Sequence, residues 1–532
     1  LASVVPHWGW KDPNTNAATV FREAGFDTDR KPIQKFLELF SAIQDLPRHL
    51  GQHSGGLVIC QGHLDAVVPI EPATMPGRYV IQWDKEDCAD LGLIKVDLLG
   101  LGMMAVLKDS IRIIGDVYKE EVDLAQLPAN DAKVYDALQR ADTVGMFQVE
   151  SRAQMSCLPR MKPDHFYDIV VQVAIIRPGP IVGKMLNPYL KRRQGLEPVE
   201  CLHPSLEPVL RRTLGVPLFQ EQLLKIAMIA AGFSGGQAEE LRRAFGFKRS
   251  EARMRDIEVK LRAGMNAQGI SGVVQDTIIQ AITSFALYGF PESHAASFAL
   301  IAYASAYLKC HYLAAFTAAL LNNQPMGFYH PATLVKDAQR HGLRVLPVDI
   351  TVSGWECSVT PDLELRLGLN YVRGLRKAAA DAIVAARPFA HISDLARRVP
   401  ELSKDELRSL AEIGAMNLIE KGRKSHRRDA LWHAEAAMRP AGPLLENANA
   451  AGAEEAPLAP MSLEERINAD YRGSGLTVGN HPMALRRPQL DAMNVTSAEE
   501  LKRVRDGQWV RIAGSVICRQ RPGTAKGFVF LS

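Results

Sequence analysis

Apolar residues recur at helical spacing along most of the chain. The segment KPIQKFLELFSAIQDL (31–46) places them three and four positions apart, and so do alanine-rich segments such as SFALIAYASAYLKCHYLAAFTAALLNN (297–323). This period is typical of amphipathic α-helices. The pattern therefore predicts a mostly helical start, up to about 45, and a large helical block from 101 to about 350.

Between about 46 and 100 the pattern changes to short apolar runs such as GGLVIC and RYVIQW, which predict strands. The run GLIKVDLLGL (92–101) is interrupted only by Lys95 and Asp97, which predicts a strand buried on both faces. Residues two apart on a strand share a face, and a buried carboxylate needs compensation. A structural ion pair and a metal-binding aspartate near a phosphate-binding lysine are both open interpretations.

The region from about 365 to 430 is predicted to contain two hairpins between helices. YVRGLRKAAADAIVAAR (371–387) has the h-x-G-h form of a helix-hairpin-helix, whose turn and following helix can hold a backbone phosphate without reading sequence. A capping box of Ser403 and Glu406 opens a second unit, with Gly414 in its turn. One such hairpin is also an ordinary helical turn, but two beside the basic run KGRKSHRR (421–428) favour binding to the DNA backbone.

The last hundred residues are predicted to be a linker followed by the start of a β-barrel. MRPAGPLLENANAAGAEEAPLAP (438–460) is rich in Ala, Pro and Glu, as linkers are. GQWVRIAGSVICRQRPGTAKGFVFL (507–531) alternates apolar and polar residues around a PGTAKG turn, which predicts two strands. The chain starts at Leu1 without methionine and stops inside this run, so we expect a fragment of a longer protein.

Composition narrows the class of protein. The 532 residues, 47% hydrophobic and 23% charged, predict three or four globular domains, with no membrane helix and no signal peptide. Seven cysteines without a C-x-x-C pair argue against a zinc ribbon or a disulfide framework and favour the cytoplasm. The net charge of +4 identifies no partner. The basic cluster RRAFGFKRSEARMR (242–255) is either a solvated helix face or a phosphate-binding surface.

Seven motifs resemble one family. They are GQHSGGLVI (51–59), GLIKVDLLGL, GMFQVES (145–151), RPGP (177–180), LFQEQLLKIA (218–227), LRRAFGFKR (241–249) and YGFPESHAASFALIAYASAYLKCHY (288–312). In this order they resemble the C-family bacterial DNA polymerases, the α subunits of DNA polymerase III and their error-prone relatives. The match extends over almost the whole chain.

The resemblance implies a multidomain α+β fold. Its expected parts are the remainder of the thumb (1–45), the second part of the palm with a mixed sheet (46–100), large mainly α-helical fingers (101–355), a tandem helix-hairpin-helix region that binds duplex (356–436), a linker (437–465), a connector (466–504) and a truncated OB-fold (505–532).

The resemblance also implies catalytic residues. Asp97 matches the third of three metal-binding aspartates of the palm, which hold two Mg²⁺ ions for nucleotidyl transfer from dNTP to the primer 3′-hydroxyl. Lys95 would add positive charge near the triphosphate. The family's other two aspartates lie on a D-x-D strand, which with the PHP domain precedes the matched region. The chain alone is therefore expected to be inactive.

Further contacts follow from the same resemblance. Arg242, Arg243 and Lys248 would form a fork for the triphosphate, with Gly246 ending their helix. Tyr288, Ser293 and His294 match the pocket around the nascent base pair. Arg177 is either a nucleotide contact or part of a structural turn, and His53 and Ser54 are either functional or satisfied loop residues. The residues expected to bind DNA are Arg373, Gly374, Arg376 and Lys377.

The error-prone branch is favoured by two segments, DYRGSGLTVGNHPMALRR (470–487) and VICRQRPGTAKGFVF (516–530), and by the lack of a clear glutamine-led clamp-binding pentapeptide. The implied function is damage-induced mutagenesis and translesion synthesis in the cytoplasm. The implied partners are primer–template DNA, dNTPs, a sliding clamp and accessory mutagenesis proteins, without a membrane. The alternatives are a main replicative α subunit, a non-catalytic helix-hairpin-helix protein, or another Mg²⁺-dependent nucleotidyltransferase with a similar palm.

Overall fold

The computed structural model describes residues 21–22, 25–43, 55–73, 75–176, 182–246, 251–286, 290–326, 329–420, 425–438, 456–514, 516, 519–520 and 529–531. The chain divides into two compact units, one formed by 1–99 with 486–532 and the other by 100–485. None of the helices within these ranges combines the length and the hydrophobicity that crossing a bilayer requires.

The smaller unit contains two-stranded antiparallel ladders. β1 pairs with β4 and β2 pairs with β3. The strands predicted from the short apolar runs are therefore confirmed, and the helix predicted from residue 31 is confirmed as far as Ile43. In chain order the elements are α1 (Lys31–Ile43), β1 (Gly56–Ile59), β2 (Ile70–Pro72), β3 (Tyr79–Ile81), α2 (Lys85–Asp90) and β4 (Ile94–Asp97).

The prediction that β4 is buried on both faces is wrong. Ile94, Lys95 and Asp97 are exposed, and Val96 is half-buried. Within the described part of the chain β4 pairs with β1 alone, and β1 is itself largely exposed. Because most residues of both strands are exposed, the apolar run is not evidence of burial here.

The first of the two strands predicted near the end is much shorter than expected. Residues 508–514 are not part of a strand, and Trp509 is 98% exposed. β8 (Arg519–Gln520) pairs antiparallel with β9 (Phe530–Leu531), on the two sides of the predicted PGTAKG turn. The alternating run has no facing layer in the described residues on which to bury its apolar positions.

The larger unit is helical up to residue 340, as predicted. The helices are α3 (Leu101–Ile113), α4 (Ala132–Gln139), α5 (Arg152–Met161), α6 (Phe166–Ile175), α7 (Val182–Arg193), α8 (Glu207–Leu210), α9 (Gln220–Ala231), α10 (Gly235–Gly246), α11 (Glu251–Ala267), α12 (Gly272–Ala286), α13 (Glu292–His311), α14 (Leu313–Asn322) and α15 (Pro331–Arg340).

Helix α13 lies at the centre of this unit and packs against α4, α6 and α14. Its buried positions include Ala295, Ala299, Ala302 and Ala306, which recur three and four residues apart. The distance between packed helices depends on the side chains at the contact, so small side chains permit a close approach. The alanine stripe thus lets α13 pack closely against its neighbours, although its hydrophobic residues are not confined to one face.

After α15 the chain forms a small sheet and then the hairpin helices. In the sheet β7 is central, parallel to β5 and antiparallel to β6. One hydrophobic core runs from α3 and α14 through this sheet to the hairpin helices. The elements are β5 (Val345–Leu346), β6 (Ser358–Val359), β7 (Leu365–Arg366), α16 (Lys377–Ala385), α17 (Ile392–Arg398), α18 (Lys404–Glu412) and α19 (Arg427–Ala437).

Two more helices follow, α20 (Leu463–Ser474) and α21 (Pro482–Ala492). α20 begins within the range predicted as linker, because Ser462 and Glu465 form a capping box there. Residues 439–455 of that range lie outside the described residues. The domain boundaries drawn from the sequence stay predictions.

Candidate functional site

Asp97 and Lys95 lie at the end of β4. In the ladder Asp97 is opposite Gly56, and Lys95 is opposite Val58. Both side chains are exposed, and the two-residue period places them on one face. The backbone N–H of Leu99 donates to Oδ1 of Asp97 at 3.0 Å. This end of the strand therefore presents an oriented, accessible carboxylate with a lysine two positions before it.

Several candidate residues lie outside the described part of the chain: His53, Ser54, Arg177, Lys248 and Tyr288. Arg242 and Arg243 lie in α10, of which the structure describes the helical backbone at these positions but not their side chains. The described part of the helix runs to Gly246, and residues 247–250 lie outside the described residues, so its predicted end there stays a prediction. The roles of all these residues stay predictions.

Ser293 and His294 occupy the first turn of α13, and both are exposed. The imidazole ring of His294 lies between two phenyl rings, 5.1 Å from that of Phe290 and 4.2 Å from that of Phe298, measured between centroids. These contacts restrict the histidine ring on the helix surface. The structure thus brings two of the predicted nucleotide residues together on one accessible turn of the larger unit, whereas Asp97 belongs to the smaller one.

A cavity of about 530 Å³ opens beside the same turn. Its walls include Tyr167, Arg212, Glu292 and Ala296, none of which the sequence singled out. They come from α6, the segment between α8 and α9, and α13, which are far apart in the chain. The sequence showed the order of the motifs along the chain, and motif order does not report which side chains meet.

The turn of the first hairpin has the backbone that its sequence predicts, but a 3-10 turn (Leu369–Tyr371) precedes it in place of the expected helix. Gly374 adopts φ of +81°, the left-handed region, and a Cβ atom there would meet nothing within 4 Å. Arg373, Arg376 and Lys377 are exposed around it, while Leu375 is buried. The turn is therefore open to solvent on its polar side, and the helix α16 that begins at Lys377 follows it directly.

Arg376 forms hydrogen bonds to Glu406 within the protein. Its Nη2 lies 2.9 Å from Oε2 of Glu406, and its Nε and backbone N–H donate to Oε1. Glu406 is only 4% exposed. Burial alone would raise the pKa of Glu406, but the hydrogen bonds from Arg376 and Ser403 outweigh it and lower that pKa to about 2. The arginine therefore neutralises a buried carboxylate. Of the other predicted cations, Arg373 donates through Nη1 to the backbone oxygen of Arg472 at 3.3 Å, and neither it nor Lys377 forms an ion pair with a described residue.

The second hairpin is present as predicted. Ser403 and Glu406 form a reciprocal capping box at the start of α18. Gly414 has φ of +82°, and a Cβ atom at that position would lie 2.9 Å from Nε of Arg427. Arg427 and Arg428, the described basic residues of the 421–428 run, pair with Asp470 and Glu465 at 2.7 Å each. These two arginines thus stabilise α20, and the charges at 421–424 lie outside the described residues.

The segment from Asp470 to Gly479 docks on the hairpins, which the sequence analysis missed. The backbone N–H of Arg373 donates to the oxygen of Gly473 at 2.8 Å. A Cβ atom on Gly473 would lie 2.3 Å from Cγ2 of Ile413, so only glycine fits there. The G-S-G pattern was the available signal, since it marks a place where another part of the chain approaches closely.

A charged cluster surrounds the buried Lys309, with half-buried Asp142 and Asp337 and exposed His341. The Nζ atom of Lys309, which is 6% exposed, lies 2.9 Å from Asp337 and 3.4 Å from Asp142. Nε2 of His341 lies 2.5 Å from the other oxygen of Asp142. Because the ammonium group already supplies the positive charge between the two carboxylates, this cluster is a structural ion network.

Three family models match the chain. Residues 1–100 match the bacterial DNA polymerase III alpha NTPase domain, residues 103–269 match the bacterial DNA polymerase III alpha subunit finger domain, and residues 342–426 match the helix-hairpin-helix motif. The first two together cover about half of the chain. The third covers both hairpins described above.

Relatives named error-prone DNA polymerase are similar over almost the whole chain. The protein from Anaeromyxobacter sp. (strain K) is 48% identical over 96% of this chain and 47% of its own length. Those from Methylococcus capsulatus and Alkalilimnicola ehrlichii are each 45% identical, over 96% and 100% of this chain and 50% and 52% of their own lengths. The chain thus spans about half the length of these curated relatives.

Proposed function

The chain belongs to the bacterial DNA polymerase III α-subunit family, and we propose that it is part of an error-prone DNA-directed DNA polymerase. The full-length protein would act in damage-induced mutagenesis and translesion synthesis. The observation that carries the proposal is the identity of 45–48% to relatives with that name over nearly all of the chain. Because the chain covers half of their length, the activity is assigned to the full-length protein.

Asp97 is proposed as a metal ligand of the polymerase. An exposed carboxylate, oriented by the Leu99 amide, suits a hard cation such as Mg²⁺, which prefers oxygen ligands. Bound Mg²⁺ would stabilise charge on the attacking and leaving oxygens of nucleotidyl transfer. One carboxylate cannot hold two ions, so Asp97 would act with further carboxylates of the family's palm. Lys95, exposed on the same strand, would attract the triphosphate.

The fingers are proposed to hold the nucleotide. Ser293 and His294 are supported by their exposure on the first turn of α13. Arg242, Arg243 and Lys248 are proposed as triphosphate contacts, and Tyr288 and Arg177 as neighbours of the nascent base pair. Arginine suits this role because its planar fork can bind phosphate oxygens through two hydrogen bonds.

The hairpin region is proposed to hold the duplex. Gly374 and Lys377 are supported by the open, exposed turn that they share. Contacts from backbone amides and basic side chains to phosphates carry no sequence information, so binding would be independent of sequence. Arg373 is proposed to bind phosphate through its guanidinium, and Arg376 to shape the turn through its bond to Glu406. Primer–template DNA, dNTPs, a sliding clamp and accessory mutagenesis proteins are the proposed partners, in the cytoplasm.

Primer extension by the full-length protein tests this function. We expect Mg²⁺-dependent incorporation of dNTPs on an undamaged template and on one with an abasic site, with frequent misincorporation. Incorporation that is accurate and stops at the lesion would favour the main replicative α subunit instead. DNA binding without any incorporation would contradict the polymerase assignment and favour a non-catalytic helix-hairpin-helix protein.

A further inference from the structure

The start of α13 is capped by a different helix. Its N-cap residue is Pro291, which has no side-chain oxygen to accept a first-turn amide. Oε2 of Glu221, in the first turn of α9, accepts the backbone N–H of Glu292 at 2.9 Å. The backbone N–H of Gln220 also donates to the oxygen of Phe290 at 3.1 Å. The beginnings of α9 and α13 are therefore joined by main-chain and side-chain bonds.

The side chain of Glu292 is held from a third element. The hydroxyl of Tyr167, in α6, donates to Oε1 of Glu292 at 2.7 Å. The guanidinium of Arg212 lies 3.7 Å from the centre of the Tyr167 ring, and its Nη1 is 3.8 Å from the same Oε1. Burial, together with the bond to Glu292, raises the pKa of Tyr167, so the hydroxyl stays protonated and remains a donor. Both the backbone and the side chain of Glu292 are thus fixed.

The fixed residue directly precedes Ser293 and His294. We propose that Tyr167 and Glu221 are positioning residues for the incoming nucleotide, which hold the first turn of α13 so that Ser293 and His294 keep one placement beside it. This inference rests on the proposed function. Neither residue need touch the nucleotide, because each acts through Glu292.

The rest of α13 does not depend on these two bonds. Its alanine stripe packs along α6, and the hydroxyl of Tyr303, further along the helix, donates to the oxygen of Pro128. Removing one hydrogen bond at the first turn should therefore loosen that turn without unfolding the helix. The loss should appear in nucleotide binding and selection more than in stability.

The test is steady-state incorporation of single nucleotides by the full-length protein with Tyr167→Phe, Glu221→Ala or Glu221→Gln. We expect Tyr167→Phe and Glu221→Ala to raise the KM for the correct dNTP roughly tenfold. The preference for correct over incorrect nucleotides should fall, while primer–template affinity and the unfolding temperature change little. Glu221→Gln should restore most of the loss, because its amide oxygen still accepts the Glu292 N–H.

Tyr135→Phe is the matched control. The Tyr135 hydroxyl donates to the oxygen of Ala129 at 2.8 Å, and its ring packs against Tyr303 in the middle of α13. A similar rise in KM for this variant would reveal a general packing effect and overturn the inference. If the KM for dNTP is unchanged in Tyr167→Phe and Glu221→Ala while the unmodified protein incorporates nucleotides normally, the inference is wrong and the proposed function still holds. If the unmodified protein incorporates no nucleotides, both the proposed function and this inference are contradicted.

Discussion

At the scale of single residues, Glu406 joins the two hairpins. Its carboxylate caps its own helix through Ser403 and also receives three hydrogen bonds from Arg376, in the turn of the other hairpin. The capping box was predictable, because its two residues are three apart. The bond to Arg376 was not, because the partner is 30 residues away and any of several cations could have filled the place.

Glu406 should make stability depend on acid pH. Its pKa of about 2 lies below the ordinary value of an unfolded glutamate, so it stabilises the folded state above about pH 4.5. That contribution is lost as the pH falls through about 4 towards 2. We expect Glu406→Gln to destabilise the hairpin region by roughly 2 kcal/mol at pH 7 and by roughly half as much at pH 3, where the folded carboxyl is still mostly ionised. Hydrogen exchange in α18, compared between the two proteins at each pH, measures this difference.

Glu435→Gln provides the control for this experiment. Hydrogen bonds from Arg408 and Lys404 lower the pKa of Glu435 to about 2 as well, but its side chain is 36% exposed. Solvent screening makes such surface pairs contribute little. Equal effects of the two substitutions at pH 7 would contradict the view that burial gives Glu406 its importance.

At the scale of elements, the first hairpin should bind duplex DNA. We expect this chain to bind duplexes weakly and without sequence preference, with an affinity that falls as salt rises. Gly374→Val should weaken binding, because a β-branched residue strains the left-handed conformation at φ of +81°. Fluorescence anisotropy at several salt concentrations measures the affinity.

Gly269→Val controls for strain alone. Gly269 also has a positive φ, of +75°, with nothing within 4 Å of its Cβ position, and it lies outside the hairpin region. Its substitution should leave DNA affinity unchanged. Binding that is insensitive to salt, or an equal loss in both variants, would count against a phosphate-binding hairpin.

Helix α10 is expected to contact the nucleotide through one of two arginines. Arg242 and Arg243 point about 100° apart on a helix, so they cannot both face one phosphate. In the full-length protein, alanine at the contacting arginine should lower kcat/KM for dNTP by about 10- to 150-fold, with DNA affinity hardly changed. Weaker DNA binding with an unchanged KM in both variants would assign the cluster to the duplex.

Helices were more predictable than strands in this chain. The 3.6-residue period and the capping box signal located α1, α13 and α18, because a helix satisfies its hydrogen bonds locally. The burial of β4 was predicted wrongly, because the exposure of a strand depends on layers contributed by distant parts of the chain. For the same reason the alternating pattern of 508–514 predicted a strand that the structure does not contain.

At the scale of the whole molecule, the resemblance could assign roles that local patterns could not. Periodicity found a helical block, and the order of seven motifs along the chain identified the family that the comparisons confirm. What neither could supply is the meeting of Tyr167, Glu221 and Glu292. These residues come from three helices, and only folding brings them together.

The proposed role of Asp97 as a metal ligand can be tested with a single substitution. In a primer-extension assay with Mg²⁺, the full-length protein carrying Asp97→Asn should lose nucleotide incorporation, while primer–template affinity stays within a few-fold. Asp90→Asn, at an exposed carboxylate at the end of α2, should incorporate nucleotides normally. Normal incorporation by Asp97→Asn would contradict the assignment of Asp97 as a metal ligand.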